Sequence, residues 1–284
     1  MASTTIQRRI LGSALKRARE DAGKTQDEAA EVIDAASSKI SRLELGQSGV
    51  RLTDLNLLLD FYGVDDEQAA WMRDLARAGR RRGRWSGYRD VIPEWFRPYV
   101  DLESDATEIR WYQPEVVPGV LQIESYMRAM NATARPRRTD EEVDRQIRVR
   151  LERQTILDRQ GASLNFILSE SALRRNIGGS AVMRDQLVSL AEAAERPNVE
   201  LQVLPFDAQT LGAAWVFFIV LRFENDAASD TVYLEDYTDA AYLDRPESVR
   251  AYMSLWNRLQ AAAMGQVESR QLILRLAAEK RARS

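Results

Sequence analysis

The chain has 284 residues, 45% hydrophobic and 29% charged, with a formal net charge of −3; these are values of a globular protein long enough for two domains. It contains no Cys and no His, which excludes disulfides, the usual zinc sites, Ser-His-Asp and Cys-His catalysis, and the commonest general acid–base residue. Any catalysis would fall to carboxylates, Lys, Tyr or an oxygen-ligated metal, so the expectation is a protein that is not an enzyme and needs no cofactor or metal.

The longest apolar run, AAWVFFIVL at 213–221, is far short of the ~20 residues of a membrane helix. The opening MASTTIQRRILGS has no apolar signal core, and a cytoplasmic protein is expected. Charge is uneven but only slightly: residues 1–84 hold 15 Lys+Arg against 13 Asp+Glu.

In chain order, Ile10 or Leu11, Leu15, Ala18 and Ala22 predict an amphipathic helix over 7–21, with Gly23 as its exit. Thr25 and Glu28 spell a capping box. The helix they open buries Ala29, Ala30 and Ile33 and is too short to stand alone, so it must be packed. A turn at Asp34–Ala36 leads to a third helix, with Ser37 or Ser38 as cap, Ile40 and Leu43 inward and Gly46 as stop. The stretch SSKISRLELG, 37–46, is apolar only at Ile40, Leu43 and Leu45, and leaves Ser37, Ser38, Lys39, Ser41 and Arg42 free. One face is held and the other is offered. Two short helices about a tight turn make a helix-turn-helix. Thr53 is expected to cap a fourth helix, 54–62, which packs through Leu55, Leu58, Leu59 and Phe61 and ends at Gly63. A fifth, 67–78, contributes Trp71, Met72 and Leu75 to the core.

The stretch TQDEAAEVIDAASSKISRLELG resembles the Cro/Xre class of repressors in register, from its Thr-Gln start to its closing glycine. The resemblance covers about 60 residues and implies a five-helix, lambda-repressor-like all-α domain that binds double-stranded DNA. It implies that Ser37, Ser38, Lys39 and Arg42 face the bases, with Arg42 suited to guanine, and that Gln26, Ser41 and Gln47 hold phosphates, helped by the helix N-terminus at Gln26. It also implies a structural ion pair between Arg19 and Glu44. Two positions depart from the pattern. Asp34 stands where the family turn often has Gly, and so takes on a left-handed conformation that Asp tolerates. Leu45 stands where a polar residue is usual.

AGRRRGRWSGYRD, 78–90, breaks helical periodicity and reads as a basic linker. Its Arg80, Arg81, Arg82 and Arg84 either track a phosphate backbone or are simply solvated. The division expected is 1–79 for the DNA-binding domain, 80–92 for the linker and 93–284 for a second domain.

Pro93 suits a first helical turn, Pro98 a kink, and Pro114, Pro118 and Gly119 an ordered turn before a helix at 122–131. Thr139 and Glu142 open a long charged helix, 139–160, whose narrow stripe is Val143, Ile147, Leu151, Ile156 and Leu157; such a stripe suits helix pairing or a helix lying on its own domain. Strands are expected at 163–170, 198–206, 214–223 (nearly all apolar, hence central) and 231–236, the last two joined as an antiparallel pair across 226–230. Between the first two lies a helix that follows Gly178 and Gly179, capped by Ser180, with Met183, Leu187, Leu190 and Ala194 inward. Helices at 247–263 and 269–281 close the chain. The whole is an α+β domain with a mainly antiparallel sheet and flanking helices.

The segments VVPGVLQIESYMRAM, ILSESALRRNIGG and VELQVLPF make residues 85–284 similar to the C-terminal domain of actinobacterial regulators of the WhiJ-like group. That resemblance implies an antitoxin-like role and a small protein partner encoded nearby, or an effector, for this half. Four weaker patterns stand out. Glu170 with Arg174 and Arg175 reads as a polar hub or a surface salt bridge. Gly178, Gly179 and Ser180 read as an anion cradle or as punctuation between helices. Glu235, Asp236 and Asp239 read as paired carboxylates or edge charges, and Trp111, Trp215, Tyr233 and Tyr237 as a pocket wall or core. The reading is a transcriptional regulator, dimeric because one motif reads only a few base pairs, controlled through the C-terminal domain; the alternative is an antitoxin-like module that sequesters a small partner.

Overall fold

The computed structural model describes residues 4–79, 86–88, 91–133, 138–209, 216–223 and 230–281. Two compact units form, the first around the N-terminal helices and the second around a sheet. Arg80, Arg81, Arg82, Arg84, Trp215 and most of the expected 226–230 loop lie outside the described residues.

The first unit contains α1 (Thr4–Asp21), α2 (Gln26–Val32), α3 (Ser37–Glu44), α4 (Leu52–Tyr62) and α5 (Asp66–Ala78). Also counted with it is α6 (Arg97–Asp105), which packs on α1 and follows residue 93, where the sequence reading starts the second domain. Its core is Ile10, Leu11, Leu15, Ala29, Ala30, Ile33, Ile40, Leu43, Leu55, Leu58 and Leu59, the apolar stripes of α1 to α4. Close approach is built in at Gly12: a Cβ there would stand 2.5 Å from the Leu43 carbonyl oxygen.

Two readings within this unit are corrected. Trp71 is 43% exposed, because α5 buries the line Ala69, Met72 and Ala76 and turns Trp71 off it. Thr53 does not cap α4, because Arg51 is the last extended residue and Thr53 already lies inside the helix, its hydroxyl donating to Asp54.

The second unit holds β1 (Glu108–Gln113), α7 (Glu124–Ala132), α8 (Asp140–Arg153), β2 (Ser163–Ser169), α9 (Glu170–Arg174), α10 (Gly179–Ala193), β3 (Val199–Leu204), β4 (Phe218–Arg222), β5 (Thr231–Glu235), β6 (Ala240–Leu243), α11 (Pro246–Ala262) and α12 (Gln266–Arg281). The strands form one sheet in the order β3-β2-β1-β4-β5-β6. The pairs β1–β4, β4–β5 and β5–β6 are antiparallel, whereas β1–β2 and β2–β3 are parallel. The parallel pairs arise where helices intervene, α7 and α8 before β2, and α9 and α10 before β3, since a parallel neighbour needs a long crossover. β2 is buried at every position from Leu164 to Leu168, which requires cover on both faces. On one face Tyr112, Ile167, Phe218, Val220 and Val232 pack against Trp256 and Leu259 of α11.

The sequence reading missed β1 and β6, and three of its expectations for this unit are corrected. The charged helix stops at Arg153 and tightens into a 3-10 turn over Gln154–Asp158. Leu151 is 39% exposed, while Val149 and Arg153 turn inward in its place. Ser180 does not cap α10; the cap position falls on Gly178, whose φ of 74° only glycine adopts freely.

Candidate nucleic-acid interface

The interface is assembled by short-range signals. Thr25 accepts from the Glu28 N–H at 3.2 Å while Glu28 accepts from the Thr25 N–H at 2.8 Å, which closes the first turn of α2. The Thr25 N–H and, next, the Thr25 hydroxyl, which donates to Glu28 Oε2 at 2.9 Å, hold the Glu28 carboxyl below its ordinary value. Asp34 then turns the chain with φ 47°, the one non-glycine residue at positive φ among the described residues.

α3 begins one residue earlier than its serines suggest. Ala36 is the extended cap residue and its carbonyl accepts from the Lys39 N–H at 2.8 Å. Ser37 and Ser38 are therefore the first helical residues, and neither caps the helix. The uncapped N–H groups at this end offer donors and partial positive charge to an anion.

Ile40, Leu43 and Glu44 are buried, and they fix how α3 lies on its neighbours. Opposite them, Ser38, Arg42 and Leu45 follow one another at helical spacing, all exposed, Leu45 by 52%. Among the described residues the Arg42 side chain makes no hydrogen bond or ion pair, so its five N–H donors are unspent. Gln47 is exposed; Ser37 and Ser41 are half-buried.

Two of the sequence-derived contacts are spent inside the protein. Lys39 places its ammonium 2.8 Å from the Asp54 carboxylate of α4. Gln26 donates from Nε2 to Glu44 Oε2 at 2.8 Å. Glu44 also receives Arg19, Nε to Oε1 at 2.6 Å and Nη2 to Oε2 at 3.1 Å, and Arg19 donates on to the Lys24 carbonyl at 2.7 Å. Arg19, Gln26 and Glu44 thus join α1, α2 and α3 in one network. The hydrogen bond to Glu44 raises the Arg19 guanidinium above its already high value. Asp54 was the residue that sequence reasoning missed, since only the tertiary fold brings it to Lys39.

In the second unit, Glu170 accepts from Arg174 at 2.6 Å and from the Phe206 N–H at 3.1 Å. Arg175 pairs with Glu115. A Cβ on Gly178 would meet the Ala129 Cβ at 2.7 Å. Asp236 accepts from the N–H groups of Thr238 and Asp239, which makes a turn. Trp111 and Tyr233 are buried, while Tyr237 is 91% exposed. Among the described residues no group of three or more acidic side chains is placed to hold a metal, and no helix is long and apolar enough to cross a membrane.

Short helices held about a tight turn, with an exposed arginine on the second, define a helix-turn-helix DNA-binding regulator, and a helix-turn-helix domain matches residues 10–72. The chain belongs to the family defined by a domain of unknown function, DUF5753, which matches residues 96–275. No curated protein and no solved structure matches the chain.

Proposed function

We propose that the protein is a Cro/Xre-type transcriptional regulator that reads an operator as a homodimer, with α3 in the major groove, and that its C-terminal domain receives the controlling ligand or partner. The head is residues 1–79 and its role is binding, not catalysis. The observation that carries this reading is Arg42: exposed, without a partner among the described residues, and set on a helix whose opposite face is buried. An arginine so placed suits the O6 and N7 acceptors of guanine. Ser38 lies one turn before it, and Ser37, Ser41 and Gln47 flank it for phosphates. Gln26 reaches a phosphate through its backbone N–H at the start of α2, its side-chain amide being held by Glu44. Lys39 reaches bases only on leaving Asp54. A dimer is invoked because a single motif spans too few base pairs for an operator.

The test is selection of sites from random duplex DNA by the full-length protein, with Arg42→Ala beside it. The expected result is an inverted repeat that Arg42→Ala weakens and relaxes at one position. Failure to enrich any sequence at moderate salt would sink the reading. The WhiJ-like, antitoxin-like alternative, in which a small partner protein is the main target, would then stand first.

A further inference from the structure

The last helix of the second unit is held along one face and bare along the other. α12 packs on β3 and α10, and it buries Ser269, Leu272, Ile273, Leu276 and Ala277. On the opposite side Val267, Gln271, Leu274 and Ala278 follow one another at helical spacing, all exposed, Val267 by 67% and Leu274 by 39%. Single exposed apolar residues are ordinary, but a valine and a leucine on one stripe mark a surface that gains from being covered. Beside the stripe stand Glu268 and Arg275, both exposed. Among the described residues the side chains of Glu268, Gln271 and Arg275 make no hydrogen bond or ion pair. The Glu268 carboxylate lies back toward the start of the helix, where a Cβ on Gly265 would stand 2.4 Å from Oε2.

These residues have a register of their own. An α-helix rises about 1.5 Å and turns about 100° per residue. Val267 and Glu268 therefore precede Gln271 by about 6 and 4.5 Å, and Leu274 and Arg275 follow it by about 4.5 and 6 Å. By the same turn Glu268 and Arg275 lie to one side of Gln271, and Val267 and Leu274 to the other. The pattern is alike from either end, apart from the sign of the charge. A two-fold axis at Gln271, perpendicular to the helix, brings up an antiparallel second α12. Val267 then stands level with Leu274 of the second copy, and Glu268 with its Arg275 on the same flank, each within one residue's rise. Gln271 meets its own symmetry mate, and a primary amide carries both donor and acceptor, so the two side chains can satisfy each other.

We propose that α12 is the seam of a homodimer, in which a second copy of this chain lays its own α12 antiparallel across the face that carries Val267, Gln271 and Leu274. The occupant is a second copy because the face carries its own complement: one apolar pair and one pair of opposite charges, placed so that a two-fold axis matches each to its counterpart. Val267 and Leu274 supply the burial. Glu268 and Arg275 fix the partner and its direction more than they add affinity. The inference deepens the homodimer of the proposed function by naming its surface, and rests on that reading only for what the dimer does on DNA.

The experiment is sedimentation of the full-length protein without DNA, from about 1 to 100 µM, since a two-helix seam lies at the low end of interface sizes. The expected result is a monomer–dimer equilibrium. Glu268→Arg and Arg275→Glu, each folded by circular dichroism, should each weaken the dimer by about tenfold or more, because each sets like charges face to face. The double variant restores opposite charges and should recover the parent affinity. All the substituted residues are exposed, so folding is not at stake. The chain has no Cys, so Gln271→Cys should give one disulfide-linked dimer under mild oxidation, while Asn257→Cys, exposed on α11, should not. A monomer throughout the range overturns the seam and leaves this face to a different protein. A dimer indifferent to both charge reversals overturns it too, as does a double variant no better than the single ones. With DNA absent, these failures leave the operator-binding reading untouched, and a failed operator selection leaves the seam untouched.

Discussion

Arg19 and Glu44 meet through two parallel hydrogen bonds, 2.6 and 3.1 Å, with both side chains buried. The pair fastens α1 to the end of α3, while Gln26 adds α2 to the same carboxylate. A bidentate pair fixes orientation as well as distance, so the pitch of α3 is set from beneath.

Breaking that pair leaves a buried charge uncompensated. Arg19→Met or Glu44→Leu should destabilise the protein by about 3–5 kcal/mol. The double variant should recover part of the loss. Thermal and urea unfolding of the three variants measure this; additive losses would mean that the two residues do not act together.

Gly12→Ala should be costly although alanine favours helices. The added methyl would sit 2.5 Å from the Leu43 carbonyl oxygen and 2.6 Å from that of Glu44. Overpacking of this kind costs about 1–3 kcal/mol. Chemical denaturation should show the loss, and Ser13→Ala, on an exposed neighbour, should show none.

Arg42→Ala should leave the melting temperature unchanged, since the side chain is exposed and makes no hydrogen bond or ion pair with a described residue. Binding to a selected operator should fall by about 1–3 kcal/mol with relaxed preference at one base pair. Equal weakening on every sequence would make Arg42 a phosphate contact instead.

Tyr112 supplies a pH test. Burial, then the charge of Glu115, pushes its phenol up to about 12. The fold therefore favours the protonated phenol. Its contribution is full below the ordinary value of about 10 and is lost as pH rises through about 12. Stability measured across this alkaline window should fall less steeply in Tyr112→Phe than in the parent. Ultraviolet absorbance should show one fewer late-titrating tyrosine.

Ser269 is fully buried and accepts from the Val203 N–H at 2.9 Å. Ser269→Ala leaves that strand-edge donor unpaired and should cost about 1–3 kcal/mol. Hydrogen exchange at Val203 should accelerate in the variant.

Much of the head was legible because its signals are local. The Thr25–Glu28 box, the glycine stops at 23, 46 and 63 and the stripes of α1 to α4 each lie within a turn or two of chain. Errors arose where a cap was assigned by residue type: serines at 37 and 180 and Thr53 fall inside helices whose last extended residue comes earlier. β1 was overlooked because the alternation of EIRWYQ lasts only four residues, Glu108 to Trp111, and its charges are paired within the sheet, Arg110 to Glu108 at 2.6 Å and Glu108 to Arg222 at 2.7 Å.

By itself the sequence determined the elements of a helix-turn-helix, the exclusion of thiol and imidazole chemistry, and an α+β second half, because periodicity, capping and composition act over short stretches of chain. Only the tertiary structure decided which polar groups are spent and which remain. Lys39 goes to Asp54, Gln26 to Glu44, and Arg42 stays free of any described partner. The reason is physical: a hydrogen bond or ion pair forms at about 3 Å between groups whose sequence separation is arbitrary, so its partners are fixed by packing and not by pattern.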